Sequence, residues 1–312
     1  MLIVVSLLAG FVLLTLGGDV LVRGAVDVAK RLNISSLVIG VVLVGFGTSL
    51  PELVTSVQAT LSGAPDIATG NVIGSNIANI LLILGAAAVL SPIVVSASTV
   101  RKDGYLLLLL TLVFMPFALA GDITRLSGIV FLAILAAYVF YTLRGSGNEV
   151  IDDVNAEFSS PPRPLAISVA LAVGGIAITI LGAKLLVSGA VDLARMIGIS
   201  EAVIGLTIVA VGTSLPELAT SVIAARKGHA DVAFGNILGS NVFNLFGILG
   251  VAALVHPLTL TADMQNRDVW LMLLATVGLI VLLRVRGRVI RLDGIVFIAA
   301  YAAYSFWLYA AA

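Results

Sequence analysis

Cysteine is absent from the 312 residues, which excludes disulfides, thiolate metal ligation and thiol redox chemistry. Histidine occurs only twice, as His229 and His256, each in a break between apolar runs and without a partner at metal-ligand spacing. Charged residues make up just 11% of the chain, 17 basic against 17 acidic with no basic tract, so nothing in it addresses nucleic acid. What remains is apolar. Sixty per cent of residues are hydrophobic and the mean hydropathy is +1.17, well outside the range of soluble domains. The composition is that of a membrane protein. The opening run, MLIVVSLLAGFVLLTLGG, has no basic segment before it and continues into a charged helix end, so it reads as a first membrane helix and not as a signal peptide.

Runs of about 20 apolar residues are long enough to cross a bilayer as helices. Ten are expected, at 2–29, 35–61, 66–90, 103–120, 124–143, 165–194, 200–225, 231–255, 267–284 and 291–311. The polar stretch RGSGNEVIDDVNAEFSSPPRP, residues 144–164, reads as a flexible linker. It separates a first five-helix unit (1–143) from a second (165–312). Shifting the sequence by 165 positions superimposes the two: between 45 and 85, 23 of 41 residues equal their partners at 210–250. Five helices per unit is an odd number, so the second copy runs through the membrane in the opposite sense to the first. The expected fold is an all-α polytopic membrane protein, ten transmembrane helices in two inverted five-helix repeats.

Lys and Arg orient it. Twelve lie in loops after odd-numbered helices, while only Arg125, Arg195 and Arg267 lie on the other side. The positive-inside rule then places the linker in the cytoplasm and both termini outside the cell or in the periplasm.

The hexapeptide GTSLPE occurs at 47–52 and again at 212–217, placing Glu52 and Glu217 near the middles of helices 2 and 7. An ionised Glu in hydrocarbon costs several kcal/mol unless it meets a counter-charge, a cation or water, and no Lys or Arg has an equivalent central position. Thr48 and Ser49 precede Glu52 by four and three residues, and Thr213 and Ser214 precede Glu217 likewise, so hydroxyls and carboxylate are expected on one helix face. Pro51 and Pro216 lack an N–H, which frees a backbone carbonyl one turn earlier. On helices 3 and 8, Ser75 with Asn79 and Ser240 with Asn244 add a hydroxyl and an amide oxygen each. The set contains oxygen only, which suits hard cations such as Ca²⁺ and Na⁺ better than Zn²⁺ or Cu⁺.

Plainer readings exist for each feature. A buried acid is otherwise held by hydrogen bonds across helices, Ser and Thr in membrane helices commonly bond back to a carbonyl three or four residues earlier, and small polar residues join helices. Asn71, Asn76, Asn236 and Asn241 read as structural braces, and Asp66 and Asp231 as N-caps of helices 3 and 8. Asp19, Arg23 and Asp27 read as an intrahelical ion series, with an Asp19–Lys184 contact between helices 1 and 6 as a further option. Tyr301, Tyr304, Trp307 and Tyr309 read as an interfacial belt.

GTSLPE with GNVIGSN in one half, and GTSLPE with GNILGSN in the other, resembles the paired alpha repeats of the sodium/calcium exchanger family, within the cation/calcium antiporter superfamily. The resemblance covers the whole chain. It implies exchange of Ca²⁺ for Na⁺ by alternating access, helices 1 and 6 sliding across the other eight. It also implies ligand roles for Glu52, Glu217, Thr48, Thr213, Ser49, Ser214, Ser75, Ser240, Asn79 and Asn244, with backbone oxygens at Gly45 and Ala210. Some family members carry Asp where this chain has Asn244, so the resemblance implies a less acidic site with no K⁺ requirement.

The expected activity is therefore secondary antiport of Na⁺ against Ca²⁺ at a midplane site. H⁺/Ca²⁺ exchange is the alternative, because a carboxylate pair also carries protons. No enzyme chemistry, cofactor or obligatory protein partner is expected, the partners being the two ions and the bilayer.

Overall fold

The computed structural model describes residues 2–144, 163–197 and 210–311. Twelve helical segments are used below: α1 Leu2–Leu32, α2 Ser36–Thr48, α3 Leu50–Leu61, α4 Pro65–Leu90, α5 Ala97–Ala120, α6 Arg125–Arg144, α7 Leu165–Met196, α8 Ala210–Gly212, α9 Leu215–Arg226, α10 Ala230–Val255, α11 Met264–Arg286 and α12 Arg291–Ala311. Among the described residues, seven of these are long and apolar enough to cross a membrane singly, and the bent pair α2 and α3 makes an eighth. The expected helix at 200–225 is seen only from Ala210, and most of the expected linker lies outside the described residues.

Small residues dictate the longest contact. Gly10, Gly17 and Gly24 recur every seven residues along α1, and Gly175, Gly182 and Gly189 recur the same way along α7. A Cβ on Gly17 would lie 2.5 Å from the backbone nitrogen of Thr179, one on Gly24 2.4 Å from that of Ala172, and one on Gly10 2.5 Å from that of Leu186. Partner numbers fall as those on α1 rise, so α1 and α7 pack antiparallel, backbone to backbone, as small-residue seams permit in lipid. Helices α4 and α10 occupy the centre, with 78% and 83% of their apolar windows buried against 22% for α1 and α6.

Four two-residue strands, which alternation could not foretell at that length, join the halves. β1 (Ile93–Val94) pairs antiparallel with β4 (Arg288–Val289), and β2 (Asp122–Ile123) pairs with β3 (Leu258–Thr259). Each half gives one strand to each ladder. The 24 residues of α5 separate β1 from β2, a rise of about 36 Å, so the ladders stand roughly one membrane thickness apart.

Local breaks shape the middle. Ser49 (φ −82°, ψ 8°) interrupts the α2–α3 run with a 42° bend, and Ser214 (φ −88°, ψ 8°) does the same before α9. Pro51 and Pro216 fall in the first turn of the second segment, where a missing N–H has no helical acceptor to lose. Wide π-type turns open α4 at Asn79–Leu84 and α10 at Phe243–Ile248.

Several expectations change. Asp66 and Asp231 are not caps: Ala64 and His229 hold those positions without a side-chain bond, and the acids sit inside the first turn, where the helix dipole favours them. Asp19 does pair with Arg23, at 2.8 Å, but its other partner is Lys227 at the end of α9, not Lys184, while Asp27 pairs with Arg163 at 3.7 Å. Tyr304 turns inward to donate to Asp268 at 3.1 Å, leaving Trp307 exposed beneath the Arg267 guanidinium.

Candidate functional site: an oxygen cage between two broken helices

Glu52 and Glu217 lie in the first turns of α3 and α9, each 1% exposed. A helix N-terminus presents free N–H groups and a partial positive charge, which lowers the cost of a carboxylate in a site without Lys or Arg.

The breaks send the neighbouring hydroxyls across the pseudo-symmetry. Ser49 donates to Oε1 of Glu217 at 2.8 Å, and Ser214 donates to Oε1 of Glu52 at 3.2 Å. Helical spacing names Glu52 as the acid nearest Ser49 along the chain, but the hydroxyl bonds the other half's acid instead. Each carboxylate keeps its Oε2 buried and without a hydrogen-bond partner.

Thr48 donates backward to the Val44 carbonyl at 3.0 Å, and its oxygen lies 3.2 Å from Oδ1 of Asn236. Ser240 donates to the Gly45 carbonyl at 3.1 Å. A hydroxyl that spends its hydrogen on a carbonyl keeps lone pairs for another group. Asn79 donates its amide to Oδ1 of Asn241 at 3.0 Å, while its own Oδ1, that of Asn244 and the Thr213 hydroxyl are buried without a partner. Ser75 is buried one turn before Asn79, whose N–H its carbonyl accepts, while its hydroxyl makes no hydrogen bond among the described residues. Ala210 stands at the start of α8.

Two braces were only half legible. Asn71 donates to Ser56 at 2.9 Å and to the Glu52 carbonyl at 3.4 Å; Asn236 donates to Ser221 at 2.8 Å and to the Glu217 carbonyl at 3.3 Å. The asparagines were expected as braces, but their serine partners were not singled out. The signal was a serine four residues after each glutamate, in the repeated TSV at 55–57 and 220–222.

Two carboxylate oxygens, two amide oxygens and a hydroxyl are thus left buried and unpartnered around two broken helices. Orphaned buried oxygens of this number are costly unless something electropositive meets them. The molecule is a polytopic helical membrane protein with a buried polar centre of carboxylates, hydroxyls and amides. A family model described as sodium/calcium exchanger protein matches residues 2–144 and 167–310, and the chain belongs to that family. The putative antiporter CaxA of Alkalimonas amylolytica is 38% identical over 313 residues, covering 98% of each chain. The sodium/calcium exchanger MaX1 of Methanosarcina acetivorans is 34% identical over 342 residues, covering 96% of each. A solved structure of the sodium-calcium exchanger NCX_Mj, soaked with Na⁺ and Ca²⁺, matches with a TM-score of 0.85 and 33% identity over 97% of both chains.

Proposed function

We propose that this chain exchanges Na⁺ for Ca²⁺ across the cell membrane by alternating access, and that the cage is its cation site. The carrying observation is the reciprocal bonding of Ser49 to Glu217 and Ser214 to Glu52, which leaves one oxygen of each acid unpartnered. Two carboxylates balance one Ca²⁺; the same oxygens hold Na⁺ ions in its absence. Glu52 and Glu217 are the charged ligands. Thr48, Ser49, Ser75 and Asn79 with Thr213, Ser214, Ser240 and Asn244 supply neutral oxygen, and Gly45 and Ala210 supply carbonyls. The likeness to MaX1 and NCX_Mj, both sodium/calcium exchangers, supports both ions as cargo.

The architecture in this reading is ten transmembrane helices in two inverted repeats. The antiparallel α1–α7 seam and the two strand ladders at opposite ends of α5 support it, since each ladder takes one strand from each half. The linker then faces the cytoplasm and the termini face outward, as the Lys and Arg distribution requires.

The test is ⁴⁵Ca²⁺ uptake by proteoliposomes loaded with Na⁺, repeated with a pH gradient and no Na⁺. Uptake that follows the Na⁺ gradient supports the reading. Uptake driven equally by protons alone replaces it with H⁺/Ca²⁺ exchange.

A further inference from the structure

A cavity of about 400 Å³ lies between α7 and the two helix breaks. Its wall includes Pro51, beside Glu52, and Gly212 and Thr213 at the second break, where a Cβ on Gly212 would stand 2.5 Å from Val187 of α7. Along α7 the wall runs from Ile180 to Ser188, about 12 Å toward the helix C-terminus, which the charge distribution assigns to the outside. The cavity therefore flanks the cage along the C-terminal half of α7.

Contrary to the expectation that no Lys or Arg has a central position, Lys184 sits in that wall, exposed, near the middle of a 32-residue apolar helix. It makes no ion pair among the described residues, and an ammonium at such depth is costly without an anion or water. Ser188, Thr55 and Thr213 supply hydroxyls to an otherwise largely apolar wall. Its counterpart 165 residues earlier is Asp19, and that charge is neutralised by Arg23 and Lys227. The two sides of the cage thus differ: one has a paired acid, the other an uncompensated base.

We propose that Lys184 is a specificity-determining residue, a charge filter beside the cage that discriminates against divalent cations approaching along the C-terminal half of α7; this rests on the Na⁺/Ca²⁺ reading above. An electrostatic potential acts on an ion in proportion to its charge, so the factor by which Lys184 depletes Ca²⁺ is the square of the factor for Na⁺. At a separation of about 10 Å in water, one unit charge depletes Na⁺ about twofold and Ca²⁺ about fourfold. Outer binding is biased toward Na⁺, while the inner side carries no such bias.

The experiment compares wild type, K184Q and K184R in sided phosphatidylethanolamine/phosphatidylglycerol proteoliposomes, measuring half-saturation for ⁴⁵Ca²⁺ and ²²Na⁺ from each face. For K184Q, outer half-saturation is expected to fall about fourfold for Ca²⁺ and about twofold for Na⁺, with inner values unchanged. K184R should match wild type, and about 1 M choline chloride should shrink both shifts, because the Debye length there is about 3 Å. Equal shifts for the two ions, no shift, or the same shift in K184R would overturn the filter while leaving Na⁺/Ca²⁺ exchange intact. A wild-type chain that moves no Ca²⁺ would overturn the exchange reading and the filter with it.

Discussion

At the scale of single residues, the cage depends on side chains that hold other side chains. Asn236 is fully buried, donates to Ser221 and the Glu217 carbonyl, and has its Oδ1 3.2 Å from the Thr48 hydroxyl, whereas Asn71 on the other half makes only the first two kinds of contact. Replacing either by Ala leaves buried groups unpartnered, at about 1–3 kcal/mol per group. N236A should lower the melting temperature of the purified protein more than N71A; equal losses would mean that the Thr48 contact contributes nothing. In the proposed function the serines at the breaks touch the ions directly. S49A and S214A each deprive one carboxylate of its donor and the cage of one hydroxyl, a loss of about 1.5–3 kcal/mol, or roughly ten- to a hundredfold in Ca²⁺ half-saturation. Pseudo-symmetry requires the two losses to be similar in ⁴⁵Ca²⁺ uptake. E52Q and E217Q should each abolish uptake without preventing membrane insertion, and normal uptake by either would remove the cage from the mechanism. The acids and hydroxyls themselves were legible, because the 165-residue repeat picks them out. Their partnerships were not: helical spacing assigns Ser49 to Glu52, and only the backbone at Ser49 shows that the hydroxyl turns to Glu217.

At the scale of elements, the antiparallel contact of α1 and α7 requires glycine at particular positions and tolerates more elsewhere. A Cβ on Gly182 would stand 2.5 Å from the backbone nitrogen of Leu14, while one on Gly174, in the same helix, meets nothing within 4 Å. G182A should therefore destabilise the protein by about 1–3 kcal/mol through overpacking. G174A should be neutral or stabilise it by up to about 1 kcal/mol through helix propensity. Thermal unfolding of the two variants in one detergent decides between them, and a larger loss in G174A would contradict the seam. The spacing of these glycines was in the sequence, yet which helix they would face was not, since a heptad of small residues fits any close neighbour. The ladders and the wide turns at Asn79 and Phe243 were hidden for a different reason. Two residues carry no detectable alternation, and a π-type turn leaves the surrounding apolar periodicity almost unchanged.

At the scale of the whole molecule, the lack of cysteine turns orientation into a simple measurement. Ser62 follows α3 and Ala97 opens α5, both exposed. With single cysteines introduced, S62C should react with an impermeant maleimide on intact cells and A97C only after permeabilisation; the reverse pattern would invert the topology. The charge-based orientation is a proposal that this labelling tests, whereas the polytopic helical membrane class was readable from composition alone. The strand exchange that ties the halves together was not, because it is long-range contact between segments with no shared motif.

The reciprocal Ser–Glu bonding carries one more consequence. Each half gives the centre one acid, one donor to the other's acid, and one broken helix whose positive end faces it. Such a centre looks chemically alike from either membrane face, so binding itself has no arrow. Under the proposed exchange the machine is reversible by construction: net flow follows the ion gradients and turns around when they do. Any rectification has to be written in residues outside the centre, where the two halves have drifted apart.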